Sequence, residues 1–228
     1  MSNYNIYVTN NTNTGSAQAY YLVCDVPQVT SSSGISPKSF RAIYIASVPI
    51  QGDGSTYLFA FGPDVFACCG YQQLQDLTIL STIDNTPMDL TGVQGNIANM
   101  VINDGGPGFT VSSVGAEPGT FKITVPEYDS TKYHTGGAAN AVSGVRACSC
   151  WQAQSAETYQ VTPTPKFSVV TGNFEAGQVI DLSDSGVGVN VDFSGQGSKV
   201  YASVTQGSDG TFGGVTYSAS PPDVKKPK

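Results

Sequence analysis

Histidine and tryptophan occur once each in this chain of 228 residues, and arginine occurs twice, at Arg41 and Arg146. A single imidazole, His134, excludes zinc sites that need several histidines, and any Ser-His-Asp or Cys-His hydrolase would have to be built on it. No G-x-S-x-G is present, and no cysteine has a recognisable nucleophile context. Only 12% of the residues are charged, the formal charge is -7, and three of the ten basic residues fall in the last four positions. That balance argues against a nucleic-acid surface or an anionic membrane as partner and leaves neutral small molecules. No apolar run reaches the roughly 18 residues of a membrane helix, and residues 1–20 hold neither a basic nor an apolar leader segment. The expectation is a soluble, cytoplasmic protein.

Phosphate loops are missing too, since SGQGSK at 194–199 is too short for a Walker motif and precedes a strand. The Asp-Gly clusters at 52–54, 103–108 and 208–210 lack the regular carboxylate array of a calcium loop and read as hairpin turns. Neither a metal nor a cofactor is expected. The five cysteines, Cys24, Cys68, Cys69, Cys148 and Cys150, are an odd number without zinc spacing and read first as small buried apolar residues. A bridge between the 68/69 pair and the 148/150 pair is open if the chain meets oxidant. Asn10-Asn11-Thr12 is a glycosylation sequon that matters only in a secreted protein.

What is abundant is glycine (26), proline (13), tyrosine (12) and phenylalanine (10). With many Thr, Ser and Val, they describe short strands joined by tight turns. Some fifteen runs at eight-to-twelve-residue spacing predict an all-β fold, an antiparallel sandwich or barrel-like structure with very little helix. One compact domain over 1–218 is expected, or two packed β subdomains joined near 161–166, followed by a Pro/Lys tail at 219–228. Pro27 to Pro37 reads as a loop. In Ser39 to Val48, strict alternation puts Phe40, Ala42, Tyr44 and Ala46 on one face, and Arg41, Ile43, Ile45 and Ser47 on the other. Arg41 then lies beside two isoleucines, at the sheet margin or desolvated against a partner.

The stretch Tyr133 to Trp151, YHTGGAANAVSGVRACSCW, gathers His134, Arg146, Trp151 and two cysteines. Its Gly136 to Gly144 portion has no periodicity and predicts a mobile loop leading into a strand from Val145. In the plain reading Trp151 is core, His134 a solvated loop residue and Arg146 the partner of a surface carboxylate. In the functional reading these residues and the aromatics around them serve an apolar or aromatic small molecule. A carbohydrate-binding module, with Trp151 or tyrosines stacked on sugar faces, fits the same composition. So does a structural protein without a ligand, which the lack of a recess of about 300 Å³ would favour.

Two segments resemble a known group as a pair: YNIYVTNNTNTGSAQAYYLVCDVPQV at the start, and PKFSVVTGNFEAGQVIDL followed by VDFSG towards the end. FACCG and the approach to CSCW are similar to that group's middle. The group consists of β-rich fungal and bacterial proteins, some of whose fungal members are hetero-Diels-Alderases that build tropolonic sesquiterpenoids. The resemblance implies a cofactor-independent pericyclase joining a tropolone o-quinone methide to a humulene-type alkene. It carries no catalytic motif, so roles follow from chemistry. Holding the reactants in a reactive pose supplies several kcal/mol, and a donor on the quinone oxygen roughly 3 kcal/mol. Arg146 is the expected donor, with His134 or a tyrosine second. His134 is also expected to assist dehydration to the quinone methide. Trp151, Tyr44, Phe61 and Phe66 are expected as apolar walls, with Arg41 beside the substrate. Monomer and homodimer both remain open.

Overall fold

The structure, a computed structural model, describes residues 3–71, 74–128, 132–141, 144–181 and 186–223, with the side chains of 111–113 left out. The last five residues of the expected tail and positions 142 and 143 of the expected loop lie outside the described residues. Among the described residues there are twenty strands and no helix, numbered below along the chain. None of these residues forms a helix long and apolar enough to cross a membrane.

Three larger sheets build an all-β, sandwich-like fold that does not close into a barrel. The first runs β20 (Thr216–Ser218), β19 (Tyr201–Gln206), β1 (Tyr4–Asn10), β7 (Ser55–Phe61). The second runs β11 (Gly106–Ser113), β10 (Ile97–Asn103), β12 (Phe121–Thr124), β15 (Thr158–Thr162), β4 (Gln28–Ser31). The third is nine-stranded: β18 (Gly188–Asp192), β16 (Lys166–Thr171), β3 (Tyr20–Cys24), β5 (Ser39–Ala46), β14 (Gly144–Gln152), β13 (Tyr133–Ala141), β8 (Val65–Tyr71) and β9 (Ser81–Met88), with β17 (Val179–Ile180) also on β5. A two-residue pair, β2 (Ala17–Gln18) with β6 (Ile50–Gln51), stands apart.

Two main cores result. Alternation in β1 turns Ile6 and Val8 inward, where they meet Tyr20, Leu22, Tyr44, Phe59, Phe167 and Val169. The second sheet contributes Ala98, Met100, Phe121, Ile123, Tyr159 and Val161 to another core, covered by Ala67, Cys69 and Trp151 of the nine-stranded sheet. The long sheet is thus shared, one half under each core. The chain passes between the halves at four places, each with proline: between β3 and β4 (Pro27), between β4 and β5 (Pro37), between β7 and β8 (Pro63), and between β15 and β16 (Pro163, Pro165). Proline has no N–H to give to a ladder, so it ends strands at these crossings.

Three local expectations are corrected. Gly136 to Ala141 is not a mobile loop: it belongs to β13, paired on one side with β8 and on the other with β14. A side chain at Gly136 would place its Cβ 2.1 Å from the Ser149 carbonyl oxygen, so glycine is there because two backbones approach closely. The segment Pro27 to Pro37 contains β4, antiparallel to β15. Strict alternation in β5 fails because its pairing with β3 jumps from Leu22↔Ile45 to Val23↔Ile43, leaving Tyr44 as a bulge. Ile45 consequently packs with Tyr44 in the first core, and Ile43 packs on the opposite face with Tyr21, Val170 and Ile180.

Candidate functional site

β5 has two edges, and three strands compete for them. Arg41 pairs with both Ser149 of β14 and Ile180 of β17, so these two strands lie on opposite edges. Ile43 pairs with Val23 of β3 while its own N–H and carbonyl bond to Gln178 and Gly177 beside β17, so β3 also lies opposite β17. Hence β3 and β14 share one edge. Continuing each ladder brings Cys24, at the end of β3, and Cys148, within β14, to the same register position opposite Ala42. Both cannot occupy it, and the strands part.

Cys148 is displaced at that point. The β13–β14 register passes from Gly137↔Ser149 to Ala138↔Ala147, which leaves Cys148 as the extra residue of a β-bulge. Bulges re-aim side chains. A recess of about 240 Å³ opens where the strands diverge. Tyr4, Phe61 and Phe167 line it from the first core, and Phe121, Val161, Val65 and Leu90 from the second. Pro27, Pro63, Pro163 and Pro165 of the crossings, with Gly137, Ala138 and Ala139, also line it. Phe61 is itself held by Phe167, with ring centroids 4.7 Å apart, and by the edge of Tyr44 at 5.6 Å.

The polar groups around this space are few. Cys24, Cys148, Ser149, Asp25, Asp64 and Thr164 reach it. Asp25 accepts a 2.6 Å hydrogen bond from Nη2 of Arg41, and both side chains are about one-third exposed. The Thr164 Oγ1 is buried with no hydrogen-bond partner among the described residues. Behind the thiols, the Tyr44 hydroxyl donates to the carbonyl of Asn140. Burial first, and then the neighbouring sulfurs of Cys148 and Cys24, push the Tyr44 hydroxyl far above its ordinary range, with Arg146 opposing weakly. Tyr44 is therefore a neutral donor already engaged by backbone.

The expected site residues do not converge. Phe61 alone among them lines the recess. Trp151 is fully buried in the second core, edge-on to Tyr159 with centroids 5.6 Å apart. It matches the plain reading and is corrected as a wall. His134 is fully buried as well, not solvated. Its ring lies against Gly70, where a Cβ would come within 2.8 Å of its Cε1. No nitrogen of the ring makes a well-aligned hydrogen bond among the described residues. Burial lowers its pKa to about 4, against a small opposing pull from the Tyr71 carbonyl. The imidazole is consequently neutral at pH 7.

Thr135↔Trp151 and His134↔Gln152 are successive pairs of one antiparallel ladder, so the indole and the imidazole point to opposite faces of the sheet. Arg146 pairs with Ala139, five residues along β13 from His134, a separation of ~17 Å at strand spacing. Arg146 and His134 therefore lie apart along the β13–β14 ladder. Phe66 packs with Cys68, Ala138 and Ala147 and is not itself among the residues that line the recess. Tyr44 lies in the core behind the recess, and Arg41 faces a separate, open surface hollow with Lys38 and Asp76.

What the sequence reading missed is the Cys24–Cys148 meeting and the unpartnered Thr164 hydroxyl. Only the prolines at 27, 63, 163 and 165 signalled the place, as strand ends. Among the described residues no group of three or more His, Cys, Asp or Glu side chains is placed to hold a metal ion. Compared with family models, with curated proteins and with solved structures, the chain gives no match.

Proposed function

We propose that this chain is a small-molecule-binding β protein whose ligand seat is the recess between β3 and β14. The observation that carries the reading is an apolar space bounded by side chains of both cores and left unfilled by either. Protein interiors are close-packed, so such a vacancy forfeits contacts that a ligand restores. Its volume lies below the about 300 Å³ at which the ligand-free structural reading gains, so the proposal rests on the apolar lining and is confined to a compact ligand or one end of a longer one. The unpartnered Thr164 hydroxyl favours a ligand carrying one hydrogen-bonding group, since leaving a buried polar group unpaired costs about 1–3 kcal/mol.

The hetero-Diels-Alderase reading is a narrower form of this one. It is supported by the character of the recess, because cycloaddition needs alignment within apolar walls more than ionised groups. Two reactants together need more than about 240 Å³, so this form requires β3 and β14 to part further. Sugar stacking finds less support, because Trp151, the best stacking residue, is fully buried.

A thermal-shift series tests both. Compact phenols and cyclic terpene alcohols at saturating concentration should raise Tm by about 5–10 °C, as expected at a hundredfold excess over Kd. Sugars should not, and Ala139→Leu, which fills the recess, should abolish the shift. If no apolar ligand stabilises the protein, or the variant responds as the wild type does, the binding reading fails. Incubation with a tropolone alcohol and humulenol tests the narrower form. Turnover no faster than the uncatalysed background contradicts it, and turnover unchanged by Arg146→Leu removes Arg146 from the mechanism.

A further inference from the structure

All five cysteines are unbridged in the structure. Cys68 and Cys150 face one another across Gly136, in register on three successive strands. Two strand spacings separate their backbones by about 9.5 Å, beyond the roughly 7 Å that a disulfide spans. A Cys68–Cys150 bridge, one of the pairings left open between the 68/69 and 148/150 pairs, therefore does not fit. Cys24 and Cys148 differ, because the ladders of β3 and β14 run into the same place on β5. The two strands approach within 8 Å between Cα atoms, both side chains line one recess, and the bulge turns Cys148 towards Cys24. The Cys148 thiol reaches the Arg146 carbonyl oxygen at 4.0 Å, and Cys24 is the neighbour with the largest effect on its titration.

We propose that Cys24 and Cys148 form a reversible disulfide when the chain meets a hydroperoxide, joining β3 to β14 at the head of the recess. One thiol sulfur attacks the peroxide, an S–O bond forms as O–O breaks, and the thiol proton leaves with the alcohol or water. The second sulfur then displaces oxygen from the sulfenic acid, an S–S bond forms as S–O breaks, and the second proton leaves in water. Two thiols are oxidised by two electrons, and one peroxide is reduced. A water-sized oxidant enters through the recess that both sulfurs line. The Cys24 side chain, followed by burial, holds the Cys148 thiol well above its ordinary pKa, so Cys148 rests as a thiol at neutral pH.

The bridge closes more than half of the chain into a loop. A staple of that length is expected to raise Tm by on the order of 5–10 °C. Loss of ligand on oxidation would follow only if the recess is the seat proposed above; the cross-link is read independently, so the two fail separately.

The test is hydrogen peroxide treatment of the full chain at pH 8.5, alkylation of remaining thiols, and tryptic mapping without reduction. Five titratable thiols should fall to three, and residues 1–38 should appear linked to 147–166. Cys150→Ser should keep the link and Cys148→Ser should lose it. The proposal is overturned if five thiols remain, if 42–122 is the linked partner, or if Cys148→Ser keeps the link. The wild-type map alone decides the first two outcomes, even if a variant folds poorly.

Discussion

His134 titrates in the unfolded chain near 6.5 and in the folded chain near 4, because its buried ring has no aligned partner to carry a charge. The sign follows: protons favour the unfolded state between these values, so stability is full above pH 6.5 and falls as pH drops towards 4. Urea unfolding at pH 7 and pH 4.5 should show a loss of about 2 kcal/mol in wild type that His134→Leu does not share. Equal losses in both would contradict the burial argument. Glu157, held near 2 by hydrogen bonds from Ser32 and Ser33, has its own window between 4.5 and 2 and barely overlaps. The scarcity of histidine and tryptophan drew attention to the right segment but to the wrong property. Trp151 and His134 each fill volume on a face of one strand pair, and a count of residue types cannot tell a packed ring from a working one.

Element by element, alternation was legible where one face of a strand is buried. Tyr4–Asn10 and Thr158–Thr162 carry the expected period of two in their burial. β13 was illegible because small residues flanked by strands on both edges have no reason to alternate, and its glycines answer to backbone proximity. Gly136→Ala should cost about 3 kcal/mol or more in urea unfolding, since the new Cβ meets the Ser149 carbonyl at 2.1 Å. A cost below 1 kcal/mol would mean that β13 and β14 are not so closely apposed. Bulges were also illegible. Tyr44 and Cys148 look ordinary in sequence, and only the partner strand reveals that each is the extra residue.

For the whole molecule, the composition sufficed to predict an all-β chain, whereas the sharing of one sheet by two cores was not readable from strand spacing. Long-range pairing decides it: β3 and β14 are separated by more than a hundred residues and meet on one edge of β5. Each core is filled by its own aromatics, and the joint between them is closed by prolines and short side chains that leave space. The most direct measurement of that claim is a heteronuclear NMR titration of the labelled chain with a compact phenol. Saturable shifts at the amides of Phe61, Ala138, Ala139, Cys148 and Ser149, with the Trp151 indole signal unmoved, are the predicted result. Shifts centred on Trp151 or on the surface hollow beside Arg41, or none at saturation, would contradict it.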